Sequence, residues 1–324
     1  MFLDGGRGFD LIGDVHGCGR SLERLLEQMG YSRRDGVWRH PRRMALFLGD
    51  IIDRGPRIRE ALHLVHDMVE AGQALCLMGN HEYNALGWYT EAPANSERRH
   101  VREHTPRHER LLQQTFQQFA EHPADWHDFL DWFQQLPLFL DAGRFRLVHA
   151  CWDGELIGEL RRRFCDGRVD RDFVMASAIP GSFANRVFER LLRGTDMRLP
   201  QGLTLISEEG FTRSYFRTKF WEDDPQTYGD VVFQPDALPE SVASLPLSPT
   251  DKDRLLQYGA DEPMLFVGHY WRRGRPAPIR DNLACLDYSA VMYGKLVAYR
   301  LDEETRIDPG KFVWVEVERP EAPQ

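Results

Sequence analysis

The chain has 324 residues, 42% of them hydrophobic and 28% charged, with a formal net charge of −9. That is enough apolar material for a large buried core, and too acidic a balance for broad binding to duplex nucleic acid or an anionic membrane, both of which need basic surface. Five widely spaced cysteines, Cys18, Cys76, Cys151, Cys165 and Cys285, form no CxxC pair or disulfide scaffold, so a reducing cytoplasm is the expected compartment. Residues 1–9 are Gly-rich without the apolar centre of a signal peptide, and no run approaches membrane-spanning length.

Residues 9–12 are a short apolar run that ends in Gly13-Asp14-Val15-His16-Gly17. Such runs suggest buried strands, although periodicity alone does not separate them from short helical segments. Residues 21–29 then place Leu22, Leu25, Leu26 and Met29 on one helical face. A second run, 44–48, precedes Gly49-Asp50-Ile51-Ile52-Asp53-Arg54-Gly55, and residues 58–69 repeat the helical pattern with Ala61, Leu62, Val65, Met68 and Val69. His63 and His66 ride on that helix and are expected to be exposed. A third run, 75–78, leads to Gly79-Asn80-His81-Glu82. Strand, polar motif and helix thus recur in the first eighty residues, the pattern of an α/β fold in which ligands bind at the carboxyl ends of strands.

Further along, His100, His104 and His108 recur every four residues, but Pro106 interrupts a helix there, and with Arg98, Arg99, Arg102 and Arg107 the stretch reads as a solvated basic segment. Residues 109–136 read as two helices broken at Pro123. Leu111, Leu112, Thr115, Phe116 and Phe119 form one face, and Trp126, Phe129, Leu130 and Phe133 the other. They are expected to cap the site, as part of a helical insertion over residues 85–140. The runs 145–148 and Met264–Val267 resume the strand pattern and end in Val148-His149-Ala150 and Val267-Gly268-His269. Between them residues 153–263 are expected as a second, mixed insertion. It reads as helical over 185–192 and strand-like over 203–206 and 211–220, where Arg217, Lys219 and Trp221 alternate on one strand face; a Pro-rich surface loop follows over 235–249. No internal repeat is present, and one domain, 1–324, is expected.

The polar residues of these motifs have the chemistry of a two-metal site. Two divalent cations about 3.5–4 Å apart take carboxylate and imidazole ligands, one of which bridges both. Asp14 and His16, two apart on a Gly-bounded turn, suit one ion. Asp50 can reach both, and Asn80, His149 and His269 complete the second.

With these motifs the sequence resembles the calcineurin-like metallophosphoesterases, in the branch that carries GDxHG, GDxxDRG and GNHE and includes serine/threonine protein phosphatases and bacterial diadenosine tetraphosphatases. The likeness covers the first eighty residues, the two later histidines, and the stretch from Cys285-Leu286-Asp287-Tyr288 to Gly294-Lys295-Leu296, similar to the family's closing strand-turn-strand. It implies an α/β fold built as a two-sheet sandwich flanked by helices. It also implies hydrolysis of a phosphoester or phosphoanhydride by a hydroxide bridging two metals, manganese being expected and iron or zinc compatible with the same donors. By the same resemblance Arg54 matches a phosphate-clamping arginine, His81 the residue that protonates the leaving oxygen, and Asp53 the carboxylate that orients it. The family implies a third cationic group, for which Arg217 or Lys219 is the candidate. Asp287 matches an acidic residue of the closing strand, either beside the substrate to orient a ligand or a simple strand-end carboxylate.

Signals for the substrate are divided. Ala150 after His149 leans toward the diadenosine tetraphosphatases, whereas Glu82 is the residue of the protein-phosphatase version. Tyr83, Trp88, Trp152, Tyr270 and Trp271 lie beside the motifs, where a ring stacked on a base is worth about 1–3 kcal/mol; core packing is the default for each. A nucleotide such as a dinucleoside tetraphosphate is the leading expectation, a phosphoprotein the second, and a non-catalytic metal-containing binding module the third. Cys18 and Cys151, within two residues of expected ligands, read as small packing residues. The sequence does not indicate an oligomeric state.

Overall fold

The apolar runs form the strands of two facing sheets in the computed structural model, which describes residues 6–206, 212–233 and 238–317. One sheet has six strands. Asp287–Tyr288, Lys295–Leu301, Gly8–Ile12, Arg43–Phe47 and Ala74–Cys76 lie side by side, and Phe312–Glu316 pairs with Lys295–Leu301. The strands Gly8–Ile12, Arg43–Phe47 and Ala74–Cys76 run parallel, as strand-helix-strand connections require. The second sheet orders Leu283–Cys285, Met264–Val267, Phe145–Val148 and Phe139–Asp141, the first three parallel and the last antiparallel.

Strand periodicity explains the layers. Leu11, Leu46, Leu75, Leu147, Phe266 and Tyr299 are buried together between the sheets. Their chain neighbours Ile12, Ala45, Phe47 and Cys76 belong instead to the core under the helices. Gly19–Gln28 contributes Leu22, Leu25 and Leu26 to that core, and Ile58–Glu70 contributes Ala61, Leu62, Val65 and Met68. A strand covered on both faces reads as a continuous apolar run, which is why no alternation marks these segments. No helix among the described residues is long and apolar enough to cross a membrane.

Several expectations change at the insertions. Pro106 does not interrupt a helix but begins one, Pro106–Phe119, capped by the Thr105 side chain, which accepts from the His108 amide at 3.3 Å; a missing N–H costs nothing at a first helical position. His108 therefore sits on the helix, while His100 and His104 stack on each other before it, ring centroids 4.2 Å apart. His63 and His66 are half-buried because the helix Pro123–Phe133 covers that face. The His63 Nε2 lies 3.0 Å from Asp125, and the His66 ring meets Trp132 at 5.2 Å.

The strand expected over 211–220 is two short ones. Thr212–Arg213 pairs with Leu205–Ile206, and Tyr215–Thr218 with Thr195–Arg198; Phe211 lies outside the described residues. The expected Pro-rich loop is partly ordered as Glu240–Ala243 and Pro249–Arg254, and its Val242 and Leu247 share a small third core with Met197, Phe216 and Tyr228. Residues 234–237 of that stretch lie outside the described residues.

One partly buried ion network ties together three adjacent inner strands of the six-stranded sheet, Lys295–Leu301, Gly8–Ile12 and Arg43–Phe47. The Arg43 guanidinium donates to Asp10 Oδ1 at 2.8 Å, to Asp302 Oδ1 at 2.5 Å and to the Phe9 carbonyl at 2.7 Å. Asp10 is fully buried, and Arg300 also reaches it at 3.1 Å. Burial opposes ionisation of Asp302, but hydrogen bonds from Lys311 and Arg43 hold its carboxyl at about 2, below the ordinary 3.8. A depressed carboxylate contributes stability that is present above its unfolded value and is lost as pH falls through the folded one. Arg43→Ala is expected to cost about 3 kcal/mol at neutral pH, the scale for breaking a buried pair. The deficit should shrink as pH drops toward 2. Urea titrations at neutral and acid pH measure both effects; a pH-independent deficit would mean that Asp302 does not contribute.

Candidate active site

All the motifs lie at the same end of the molecule because each follows a strand of a parallel set. Asp14, His16, Asp50, Asn80, His81 and His149 are each no more than 9% exposed. Five of the residues here have left-handed backbones without being glycine: His16 (φ 43°), Asp50 (52°), Asp53 (69°), Arg54 (67°) and His269 (60°). Each such residue costs on the order of 1–3 kcal/mol and persists only where its surroundings over-determine it.

Glu82 supplies much of that determination. Its fully buried carboxylate accepts from the amides of Asp50 (2.8 Å), Ile51 (2.8 Å), Ile52 (3.2 Å) and Gly79 (2.9 Å). The second motif is thereby fastened to the third. The first is fastened to the second by the Val15 and His16 amides, which both donate to the Asp50 carbonyl, at 3.0 and 2.9 Å. Close approach is required throughout: a Cβ on Gly49 (φ 96°) would lie 2.4 Å from the Gly79 nitrogen, and one on Gly268 would lie 2.1 Å from Asp14 Oδ1.

The loops aim lone pairs at one another. His16 Nδ1 and His149 Nδ1 each donate to a main-chain carbonyl, of Ile52 and Leu48, both at 2.9 Å. Each Nε2 is left facing Asp50 Oδ2, at 3.6 Å for His16 and 3.4 Å for His149; His81 Nε2 lies 3.9 Å from the same oxygen. Asn80 Oδ1 is 3.1 Å from His149 Nε2 and 2.7 Å from His269 Nδ1. Asp14 Oδ1 and His269 Nε2 are buried with no hydrogen-bond partner. Buried acceptors gathered in this way are costly unless positive charge lies between them, and the donor set suits divalent cations.

Two groups have ligand atoms within 4.8 Å of one another, His16–Asp50–His81 and Asp14–Asp50–His149. Asp50 belongs to both, the position expected of a bridge. Asp14 is in the group with Asp50 and His149, and His16 in the group with Asp50 and His81.

The ionisation behaviour has the same origin. Burial, then repulsion by Asp287, pushes the Asp14 carboxyl well up. Burial raises Asp287 to about 6, with repulsion from Asp50 adding to it. Burial also acts against the Asp50 carboxylate, but the His149 and His81 imidazoles outweigh it and hold Asp50 well below its ordinary value. His149 would be driven down by burial, yet the Asp50 carboxylate raises it to about 10. Burial, with His81 beside it, lowers His16 to about 3, and burial with Arg217 beside it holds His269 well below its usual range. The cluster thus draws a proton to the junction of Asp50 and His149, where a cation would satisfy the same oxygens.

Beside it, His81 Nδ1 lies 2.5 Å from Asp53 Oδ2, and the other Asp53 oxygen accepts from Thr115 Oγ1 at 2.5 Å. Thr115 comes from the Pro106–Phe119 helix and was legible only as one member of its packed face. Arg54 is exposed at the mouth of a cavity of about 1800 Å³, which Asn80, His81, Arg217 and His269 also line. Lys219 does not line it. The strand ends at Thr218, and the Lys219 ammonium turns to the Asp230 carbonyl at 3.1 Å and to Glu222 at 3.2 Å. Asp287 is buried near Asp14 and away from the cavity lining, and accepts from the Ser289 amide at 2.8 Å.

The aromatics that follow the motifs are packing residues. Tyr83 stacks on Phe188 at 4.2 Å, Trp152 meets Phe139 at 5.7 Å, and Tyr270 is enclosed by Phe220, Trp221 and Phe233. Trp88 stacks on His104 at 3.8 Å, and Arg273 covers Trp271 at 5.2 Å. None of the five lines the cavity. Tyr215 does, at 50% exposure, and its spacing of two from Arg217 on one strand was the available signal. Cys18 and Cys151 are buried, and burial raises both thiols, Cys18 to about 12, as inert packing residues require.

The sequence matches the family described as calcineurin-like phosphoesterase over residues 9–179. A curated relative, the asymmetrical bis(5'-nucleosyl)-tetraphosphatase PrpE of Oceanobacillus iheyensis, is 32% identical over 177 residues, 54% of this chain and 66% of that protein. A symmetrical bis(5'-nucleosyl)-tetraphosphatase of Aromatoleum aromaticum is 31% identical over 140 residues, 43% of this chain and 42% of that protein. The chain therefore spans less than two thirds of the length of either. The solved cold-active protein-tyrosine phosphatase of a psychrophilic Shewanella species aligns over 96% of this chain and 80% of its own at 16% identity, with a TM-score of 0.46; a likeness of that size decides nothing about chemistry.

Glu82→Ala is expected to leave the Asp50, Ile51, Ile52 and Gly79 amides without their acceptor and to cost at least about 3 kcal/mol, on the usual penalty for unsatisfied buried donors. Urea unfolding measures it. An unchanged midpoint would show that the Asp50 turn holds its shape without Glu82.

Proposed function

The chain belongs to the calcineurin-like phosphoesterase family, and from that premise we propose that it is a hydrolase of nucleotide phosphoanhydride or phosphoester bonds, with a dinucleoside tetraphosphate as the leading substrate. The observation that carries the chemistry is one carboxylate oxygen, Asp50 Oδ2, facing the Nε2 atoms of His149, His16 and His81 at 3.4, 3.6 and 3.9 Å. Asp14, His16, Asp50, Asn80, His149 and His269 would hold two divalent cations, manganese in our reading. When bound, such a pair supplies charge neutralisation at phosphorus and a water made nucleophilic at neutral pH.

The chain's own residues do the rest. Arg54, at the cavity mouth, takes phosphate oxygens through its planar fork, and Arg217 adds a cation from the wall that carries His269. His81 gives the proton to the leaving oxygen. Asp53 fixes its ring by accepting from Nδ1, and Thr115 fixes Asp53. Asp287 acts behind Asp14 as a positioning carboxylate. Lys219 has no part in this scheme.

A nucleotide is supported by the names of the relatives, both bis(5'-nucleosyl)-tetraphosphatases, and by a cavity larger than one phosphate needs. We place the reaction in the cytoplasm, in keeping with the five free cysteines, and within one domain whose insertions at 85–140 and 153–263 form the cavity walls.

With manganese added, the protein should cleave diadenosine tetraphosphate much faster than a phosphopeptide; the opposite ranking would make it a protein phosphatase, and two loaded metals without hydrolysis of even an aryl phosphate would make it a binding module. Asp50→Asn should reduce turnover to background with the circular dichroism spectrum retained, and an active variant refutes the bridging role. His81→Ala should lose on the order of 10²–10⁴ in rate on the nucleotide. On p-nitrophenyl phosphate, whose leaving group hardly needs a proton, the loss should be much smaller; equal losses on both would rule out the acid role.

A further inference from the structure

Away from the metal-type cluster, the same cavity has a basic stretch of wall that includes one mostly buried cation, Arg102. Arg102, Arg107, His108 and Arg193 line it together. The Arg102 guanidinium is mostly buried, its Nε has no hydrogen-bond partner, and it forms no ion pair among the described residues. Burial, with Arg193 beside it, pulls this guanidinium down to about 9 from an ordinary 12.5. Burial also lowers His108, and Arg102, Arg193 and Arg107 all push the same way. Glu189 is the carboxylate that acts on Arg102, and it is already paired with Arg193. A fold that leaves a half-buried cation uncompensated pays for it in stability, unless an anion arrives with the ligand.

This wall is built, and its place relative to His81 is fixed. Arg193 Nη2 donates to Asn84 Oδ1 at 2.6 Å, and its guanidinium lies 5.6 Å from the Tyr83 ring centroid. Asn84 is on the helix Asn80–Tyr89, three residues after His81 and so on the same face, a rise of about 4.5 Å. Starting from the nucleotide reading above, we infer that Arg102 and Arg193 form a second anion subsite, which takes a non-reacting phosphoryl group of a condensed phosphate chain one helical turn from the reacting one. A phosphomonoester has no group to place there. A nucleoside polyphosphate and an inorganic polyphosphate both do, so the subsite selects chain phosphates over isolated ones. Paired guanidiniums suit this role because each offers two parallel donors to the oxygens of one phosphoryl group.

The test compares the manganese-loaded full chain on p-nitrophenyl phosphate, inorganic tripolyphosphate and diadenosine tetraphosphate, with free metal held in excess. Arg102→Ala should lower the ratio of kcat/KM on the tetraphosphate to that on the aryl phosphate about thirtyfold, the scale of one lost charged hydrogen-bond pair. The change should fall mainly in KM. Arg102→Lys should restore part of the ratio, because it returns the charge without the fork. A parallel fall on tripolyphosphate identifies the phosphate chain as what is bound; a fall confined to the dinucleotide would place the nucleoside there and overturn the inference. An unchanged ratio, or equal losses on all three substrates, also overturns it. Should Arg102→Ala not fold, Arg102→Lys and Arg193→Gln carry the same comparison. If the wild type cleaves the aryl phosphate and tripolyphosphate but no nucleotide, the nucleotide reading fails alone and the subsite is judged on tripolyphosphate.

Discussion

The arrangement rests on one buried carboxylate, Glu82, and the four amides it gathers from two loops. A carboxylate that accepts several main-chain hydrogen bonds can repay the cost of its own burial. Here it also fixes a turn whose first residue, Asp50, has a left-handed backbone. Asp50 receives the first motif through its carbonyl and faces three imidazoles through its side chain, so those groups are registered against that turn. The sheets bring the loops near one another; Glu82 brings them into register.

The site is consequently a place of stored electrostatic cost. Asp14, Asp50 and Asp287 are crowded and buried, and the imidazoles opposite are oriented by main-chain carbonyls so that lone pairs converge. Such an arrangement destabilises the chain by itself and favours positive charge at the centre. The second cost runs in the opposite sense on the cavity wall, where the mostly buried Arg102 favours negative charge. On the proposed reading, a ligand that spans the metal centre and this wall would relieve both costs at once, which is a physical reason for a chain of phosphates to suit the cavity better than a single one.

The helix between the third motif and the second sheet is tied to the motif loops. The Pro106–Phe119 helix reaches inward through Thr115, which locks Asp53, and through Gln118, which accepts from the Ile58 amide and donates to the Gly55 carbonyl. The second insertion supplies Arg193, Tyr215 and Arg217 to the cavity wall. The cavity wall is thus drawn in part from the elements least regular in sequence, whereas the aromatics nearest the motifs serve packing.

The sequence by itself determined the strand-motif-helix order and the residues of the motifs, because each resides in contiguous segments whose periodicity or local spacing is set by covalent geometry; the two-sheet arrangement was implied only by the family resemblance. Asp14, Asp50, His149 and His269 were legible for that reason, as were the helices at 58–69 and 109–136. Tertiary structure alone decided the rest, because each remaining relation joins residues distant in the chain. Asp14 comes within reach of Asp50 and His149, Thr115 meets Asp53 across 62 positions, Lys219 turns away where its strand stops at Thr218, and Arg102 lies beside Arg193 with no ion pair among the described residues. Such pairings follow from how helices pack on sheets, and no local pattern of residues encodes them.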